Sequence, residues 1–195
     1  MAKLLLHSCC GPCSTAVLER LLNETSYNIG VYYYNPNISP LDEYEHRKAE
    51  QIRYIKQLNS SRVSFVDADY TPEVFYACTK GLEGEPEGGA RCALCFKLRL
   101  GATARFAKTN GYDIFATTLT VSPHKNAPLI NSIGALIGEE CGIEYLVADF
   151  KKKEGFKRSI ILAKENNLYR QNYCGCAFSL KESLERDAHR NQPTS

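Results

Sequence analysis

The chain lacks the features that mark several large classes of protein. No apolar run approaches the roughly 20 residues of a membrane helix, so no membrane association is expected. The opening stretch MAKLLLHSCC carries one lysine and a three-residue apolar run. That is well short of a secretory core of about 7–15 residues. Lys3–His7 is expected to be a strand, and the protein to be cytoplasmic. Neither charge sign dominates: 24 Lys and Arg stand against 22 Asp and Glu, a formal net charge of +2. Overall charge therefore does not announce a nucleic-acid binder. No internal repeat or linker-like stretch interrupts residues 1–195, a length that suits one α/β domain with a full core.

Against these absences stand nine cysteines. A secreted disulfide framework would favour an even count, a leader and a loop-rich fold, none of which is present. In a reducing compartment, clustered cysteines more often bind metal or carry out redox chemistry. Cys78 and Cys141 stand alone in helical contexts and are expected to be small buried hydrophobes. The other seven form three groups: Cys9, Cys10 and Cys13; Cys92 and Cys95; Cys174 and Cys176.

Strand and helix patterns alternate along the chain. Strands are predicted over Lys3–Ser8, Asn28–Tyr34, Val63–Asp67, Ile114–Thr117 and Glu144–Val147. Helices are predicted over Ser14–Asn23, Leu41–Leu58, Pro72–Lys80, Ala90 to about Lys108, Pro128–Glu140, Gly155–Asn166 and Ala177–Arg190. Gly81–Gly89 (GLEGEPEGG) is expected to be an exposed loop, and the NQPTS tail to fray. Repeated β–α–β units imply an α/β fold with a parallel sheet flanked by helices. Residues 151–190 are expected to form a helical C-terminal segment carrying the CxC pair. Ligands of such sheets collect beyond the carboxyl ends of the strands. The loops Cys9–Cys13, Asn35–Pro40, Leu119–Asn126 and Asp149–Lys153 should share that rim.

On a helix, Cys92 and Cys95 lie on one face and can reach one metal centre. Alone, this CxxC could be a zinc half-site, a thioredoxin-type pair or half of a cluster site. A redox CxxC usually follows a strand, and here a loop precedes it, which weakens the thioredoxin option. Cys9 and Cys10 sit where the first strand opens into a helix, and Gly11-Pro12 frees the backbone to aim both thiolates outward. Together with Cys92 and Cys95 they supply four thiolates, the number a [4Fe–4S] cluster takes. Zinc would also accept four, but would not explain the surplus thiols nearby. Cys13, at the start of the first helix, is open between a small N-terminal residue and a reactive thiolate or ligand of a second metal. A disulfide across Cys174-Gly175-Cys176 would close a very small, easily reduced ring, as suits a dithiol that donates two electrons. Two unrelated thiols, or ligands of a structural metal, are the plainer alternatives. Lys151, Lys152, Lys153, Lys157 and Arg158 form a basic stretch followed by Lys164 and Arg170. Such a run is more often a solvated face than an RNA contact.

Six motifs in order, LLLHSCCGPCST, YYYNPNISPLDEYEHR, EGGARCALCFKLRL, TTLTVSPHKN, DFKKKEGFKRS and LYRQNYCGCAFSL, resemble the cobalamin-independent epoxyqueuosine reductases (QueH). The resemblance runs from near the N-terminus to about Leu180. It implies a PP-loop, adenine-nucleotide-hydrolase-like fold (Rossmann-like), and reduction of epoxyqueuosine to queuosine at the wobble nucleoside of tRNA, with electrons from an unidentified donor. Cys9, Cys10, Cys92 and Cys95 match the family's cluster ligands, and Cys174 and Cys176 its redox-active pair. Some relatives carry Asp where this chain has Cys13, near a second, mononuclear iron. Asn35, Asn37, Tyr44 and Arg47 are candidates to hold the nucleoside, and Lys151, Lys152 and Arg170 to meet tRNA phosphates. His7, His124, Tyr34 and Tyr44 are candidate proton relays, although a lone His or Tyr at a strand end is more often structural. Two other readings compete. PP-loop enzymes that use ATP carry an SGGxDS-like loop after the first strand. The corresponding SCCGPCST has one glycine and no Asp, so ATP use is not expected. A zinc-stabilised RNA-binding module is the non-catalytic alternative.

Overall fold

In the computed structural model, residues 1–190 are described; the NQPTS tail lies outside the described residues. Five strands, β1 (Lys3–His7), β2 (Asn28–Tyr32), β3 (Val63–Val66), β4 (Ile114–Thr117) and β5 (Glu144–Tyr145), form one sheet in the order β3-β2-β1-β4-β5. Every neighbouring pair is parallel. The helices are α1 (Gly11–Glu24), α2 (Leu41–Leu58), α3 (Pro72–Thr79), α4 (Ala90–Thr109), α5 (Ala127–Cys141), α6 (Gly155–Glu165) and α7 (Ala177–Arg190). A short 3-10 turn covers Thr118–Val121.

The central strand explains the layering. Leu4, Leu5 and Leu6 of β1 are all fully buried. A continuous apolar run is what a parallel strand covered on both faces requires. Side chains alternate across the sheet. Leu4 and Leu6 join Val17, Leu18, Tyr54, Ile55 and Ala163, the apolar sides of α1, α2 and α6. Leu5 joins Phe96, Leu100, Ala104, Ile130 and Ile137 from α4 and α5. Two cores thus lie back to back, and α1 packs on α6 as α4 packs on α5.

The expected order of strands and helices holds, with adjustments at the ends. Helix α1 begins at Gly11 rather than Ser14, with Pro12 in its first turn, where the missing N–H costs nothing. Strand β2 ends at Tyr32 rather than Tyr34, ahead of the Asn35-Pro36 turn, and β5 at Tyr145 rather than Val147. The 3-10 turn after β4, read as loop, forms because Thr117 Oγ1 accepts from the Leu119 N–H at 3.1 Å. Cys78 and Cys141, on α3 and α5, are half-buried rather than buried as expected, and Cys141 packs at the edge of the core formed by α4 and α5.

Candidate functional site

The loops beyond β1, β2 and β4 are tied together by side chains. Asn35 Nδ2 donates to the Ser8 carbonyl at 2.9 Å, and the Cys9 N–H donates to Thr118 Oγ1 at 3.4 Å. His7, fully buried, has Nε2 at 3.1 Å from the Tyr34 carbonyl and Nδ1 at 3.0 Å from Thr117 Oγ1. A carbonyl only accepts, so Nε2 carries the proton and Nδ1 accepts from the Thr117 hydroxyl. Burial, with Arg99 nearby, lowers the imidazole pKa to about 3. His7 is a neutral strut between three loops with both nitrogens occupied, the structural role rather than the proton relay.

This frame holds the first cysteine group. Cys9 and Cys10 are buried and Cys13 half-buried, and their sulfurs all lie within 4.8 Å of one another. Cys9 Sγ is 3.8 Å from both Cys10 Sγ and Thr118 Oγ1. Beneath the trio Ser8 donates to Gln51 Oε1 at 2.7 Å, and Gln51 Nε2 donates to Ser14 Oγ at 2.9 Å, so the fully buried glutamine pins both ends of the cysteine turn. The three thiols share protons unequally. Hydrogen bonds from Cys10 and then Cys13 hold Cys9 well below the ordinary thiol range, against burial and with help from Lys125 and Arg99. Cys13 draws Cys10 down, but Cys9 and burial outweigh it and push it up to about 12. Hydrogen bonds to Cys10 and Cys9, and burial, raise Cys13.

The second group stands on α4. Cys92 packs against the apolar cluster that contains Cys9 and Cys10, while Cys95 shares a cluster with Phe75 and Cys176. Cys92 Sγ accepts from the Gly88 N–H at 3.3 Å. Burial raises both thiols, Cys95 to about 12. Arg99, one turn beyond Cys95, is within electrostatic range of Cys95, Cys174, Cys9 and Cys92, members of all three groups. Packing says the same: Cys92 lies against the cluster of Cys9 and Cys10 and Cys95 lies in that of Cys176, so α4 stands between the other two groups.

The third group lies in the stretch between α6 and α7. The buried Cys176 accepts from the Ser179 N–H at 3.4 Å, and Cys174 is half-buried. Their turn is seated on α2. Arg47 Nη1 donates to the Cys174 carbonyl at 3.1 Å, Arg47 Nε pairs with Glu43 at 2.6 Å, and the guanidinium lies 4.9 Å from the centre of the Tyr173 ring. The Ser39 N–H donates to the Gly175 carbonyl at 2.8 Å. Gly175 has φ +125, and a Cβ there would meet Arg47 Nη1 at 2.9 Å and Ile38 Cγ1 at 3.0 Å. Only glycine fits both demands.

A cavity of about 620 Å³ opens beside the first and third groups, walled by Cys9, Cys13, Cys174, Lys125, Gln171 and Arg170 among others. Gln171 Nε2 donates to Cys10 Sγ at 3.2 Å, and its Oε1 is buried without a partner. Burial works against the charge on Lys125, yet Cys174, Cys9 and Cys13 outweigh it and hold the amine above the usual lysine range. The exposed His124 also lines this cavity. The remaining predicted residues sit elsewhere. Asn35, Asn37, Tyr44 and Arg47 are buried beneath the β2 loop, and both asparagine Oδ1 atoms and Arg47 Nη2 lack partners. Tyr44 stacks on Tyr70 and donates to the Ala68 carbonyl at 3.4 Å. Tyr34 is half-buried, its hydroxyl 3.4 Å from Thr71 Oγ1. In the basic stretch Lys151 Nζ donates to the Lys125 carbonyl at 3.0 Å, while Lys152 is exposed. Lys153, Lys157 and Arg158 pair with Glu24, Glu154 and Glu19.

Sequence reasoning missed Arg99, Lys125, Gln171 and Thr118. A signal for Arg99 exists: Cys92, Cys95 and Arg99 fall at i, i+3 and i+7, one face of one helix. The others come from distant loops and leave no such trace. The three sulfurs gathered at the end of β1 could hold a metal ion or cluster, with the cations Arg99 and Lys125 placed to offset negative charge, while Cys92 and Cys95 on α4 stand outside that close gathering.

Comparison with known proteins identifies a family. Residues 4–182 match the family model for epoxyqueuosine reductase QueH. The chain is 44% identical over 190 residues to epoxyqueuosine reductase QueH of Staphylococcus epidermidis, covering 94% of this chain and 79% of that protein. It is 36% identical over 191 residues to the protein of that name from Thermotoga maritima, covering 96% and 95%. A solved structure described as a predicted subunit of tRNA methyltransferase from Methanocaldococcus jannaschii superposes with a TM-score of 0.52. It covers 85% of this chain and 76% of that one, and at 15% identity it shows the shared α/β fold alone. The cysteine-lined rim and the match along nearly the whole chain lead to one conclusion: this protein belongs to the epoxyqueuosine reductase QueH family.

Proposed function

We propose that this protein is an oxidoreductase that removes the epoxide oxygen of epoxyqueuosine, giving queuosine, at the wobble position of tRNA. The reaction takes two electrons and two protons and releases the oxygen as water. The observation that carries the reading is the meeting of cysteines from two distant stretches, Cys9 and Cys13 with Cys174, at the wall of one cavity, in a chain of this family.

In this reading Cys9, Cys10, Cys92 and Cys95 hold a [4Fe–4S] cluster. Cys13, whose sulfur stands with those of Cys9 and Cys10, is available to a second, mononuclear iron. When bound, such groups supply single electrons and a Lewis-acidic site for oxygen. Cys174, at the cavity wall, and Cys176 form the dithiol that gives up two electrons. Gln171 and Lys125 offer polar contacts inside the cavity, and Arg170 and the exposed Lys152 face incoming phosphates, where basic side chains position nucleic acid. The electron donor is a separate cytoplasmic partner.

Anaerobic purification followed by iron and sulfide analysis, then assay on tRNA containing epoxyqueuosine, tests this. Brown protein with four or more irons and conversion of the nucleoside is expected. Colourless protein with stoichiometric zinc, or turnover that needs ATP, would sink the reading.

A further inference from the structure

Three arginines are fully buried: Arg47, Arg91 and Arg99, each 1% exposed. Taking a guanidinium out of water is strongly unfavourable unless an opposite charge or a set of acceptors replaces the lost hydration. Two of the three meet that requirement. Arg47 pairs with Glu43 at 2.6 Å and also reaches the Cys174 carbonyl. Arg91 pairs with Glu182 at 3.4 Å and donates to the carbonyls of Leu82, Glu83 and Glu85.

Arg99 does not. Among the described residues no carboxylate lies within 4.0 Å of it. Its hydrogen bond runs from Nε to the Cys95 carbonyl at 3.3 Å, and Nη2 is buried with no partner. Its guanidinium lies 5.8 Å from the centre of the Phe96 ring. The groups of opposite charge that it can feel are thiols, Cys95, Cys174, Cys9 and Cys92, and the nearby Lys125 adds a second positive charge. A buried cation among four thiols is compensated when those thiols carry negative charge, as metal-bound thiolates do. The arginine also shares a face of the rigid helix α4 with Cys92 and Cys95, so its distance from them does not depend on a loop.

We propose that Arg99 is the built-in counter-charge of an anionic metal–thiolate centre where the three cysteine groups meet, an assignment that rests on the iron–sulfur reading above. It is a positioning residue that acts on the centre through its charge and does not touch substrate. Three consequences follow from the charge alone. The empty site leaves a buried cation uncompensated, so replacing Arg99 by an apolar side chain of similar length relieves the metal-free protein. The same replacement weakens the loaded centre. It also lowers the reduction potential, because the added electron loses a nearby positive charge.

The test compares wild type with R99M and R99K, each prepared anaerobically as the full chain. Unfolding of metal-free and metal-loaded forms, iron loss to a competing chelator and a spectroscopic redox titration are measured. Metal-free R99M is expected to unfold at or above the wild-type temperature. Loaded R99M should hold iron roughly 10- to 100-fold less tightly, the usual range for losing an outer-shell partner. Its midpoint potential should be lower, and R99K, which keeps the charge, should stay nearer wild type. If R99M fails to fold, or destabilises metal-free and loaded protein equally, Arg99 is merely structural and the proposal is overturned. Wild-type potential and wild-type iron retention in R99M overturn it equally. In those cases wild type still binds iron and the functional reading survives; wild type that binds no iron defeats both.

Discussion

The two cysteine groups at the wall of the cavity are held in opposite ways. Cys9, Cys10 and Cys13 lie within five consecutive residues, where β1 runs out and α1 begins, and their spacing follows from the local backbone. Cys174 and Cys176 lie in a stretch without regular structure, and their turn takes its position from α2, more than 120 residues away in sequence. A site built this way has one rigid jaw and one dependent jaw. For redox chemistry the division is sensible. Metal ligands must keep their geometry, whereas a dithiol that cycles must change its own.

The comparison is most directly broken at Arg47. Arg47→Leu removes the ion-pair partner of Glu43 and the donor to the Cys174 carbonyl; Glu43, half-buried, keeps the Tyr169 hydroxyl, so the cost is about 3 kcal/mol, the low end for breaking a buried pair. Urea unfolding should show that loss. Hydrogen exchange should quicken at residues 173–176 while residues 8–14 keep their protection; equal loosening of both stretches would erase the distinction.

A pH series probes the rigid jaw. His7 has its pKa lowered to about 3 from an unperturbed 6.5, so the unfolded chain binds the proton first. Stability from this group is complete above pH 6.5 and falls as the pH drops toward 3, by about 1.4 kcal/mol per unit. Between pH 6.5 and 4 the wild type should lose roughly 3 kcal/mol more than a His7→Gln variant. Denaturant midpoints for the two proteins across that range measure it. Parallel curves would mean that His7 is not held neutral.

Two glycines sharpen the contrast on a smaller scale. Gly175→Ala forces a side chain into a left-handed backbone and against Arg47, a strain of roughly 1–3 kcal/mol. Turnover should fall with it, while iron binding by the first group is unchanged. Gly11, in the first turn of α1, has room for a Cβ, whose nearest contact would be 3.5 Å. Gly11→Ala should therefore alter stability by about 0.5 kcal/mol or less. A large effect at Gly11, or none at Gly175, would reverse the assignment of rigid and dependent jaws. Thermal unfolding resolves both.

Much of the fold was legible because its signals are local. The run Leu4–Leu6 marks a strand, and Asn35-Pro36 marks where the second strand must stop. The division of the cysteines into three groups was equally visible. Other features were not. Whether Cys13 stands with Cys9 and Cys10 depends on how far α1 extends toward β1, and the helix starts three residues earlier than its apolar stripe suggests. Arg47 reads as a surface residue of a charged helix, a candidate to hold the nucleoside. It is buried because the stretch before α7 folds over it. The Thr118–Val121 turn depends on one threonine hydroxyl, too slight a signal to pick out in advance.

By itself the sequence determined the alternation of strands and helices, the three cysteine groups and the family, since each of these is written in neighbouring residues or in an ordered set of motifs. Only the tertiary structure decided that cysteines of the first and third groups line one cavity, and that Arg99, buried beside the α4 pair, has no carboxylate to balance it among the described residues. Burial and electrostatic range are properties of distance through space. Residues 9, 95 and 174 become neighbours only once β1, α4 and the stretch before α7 are brought together.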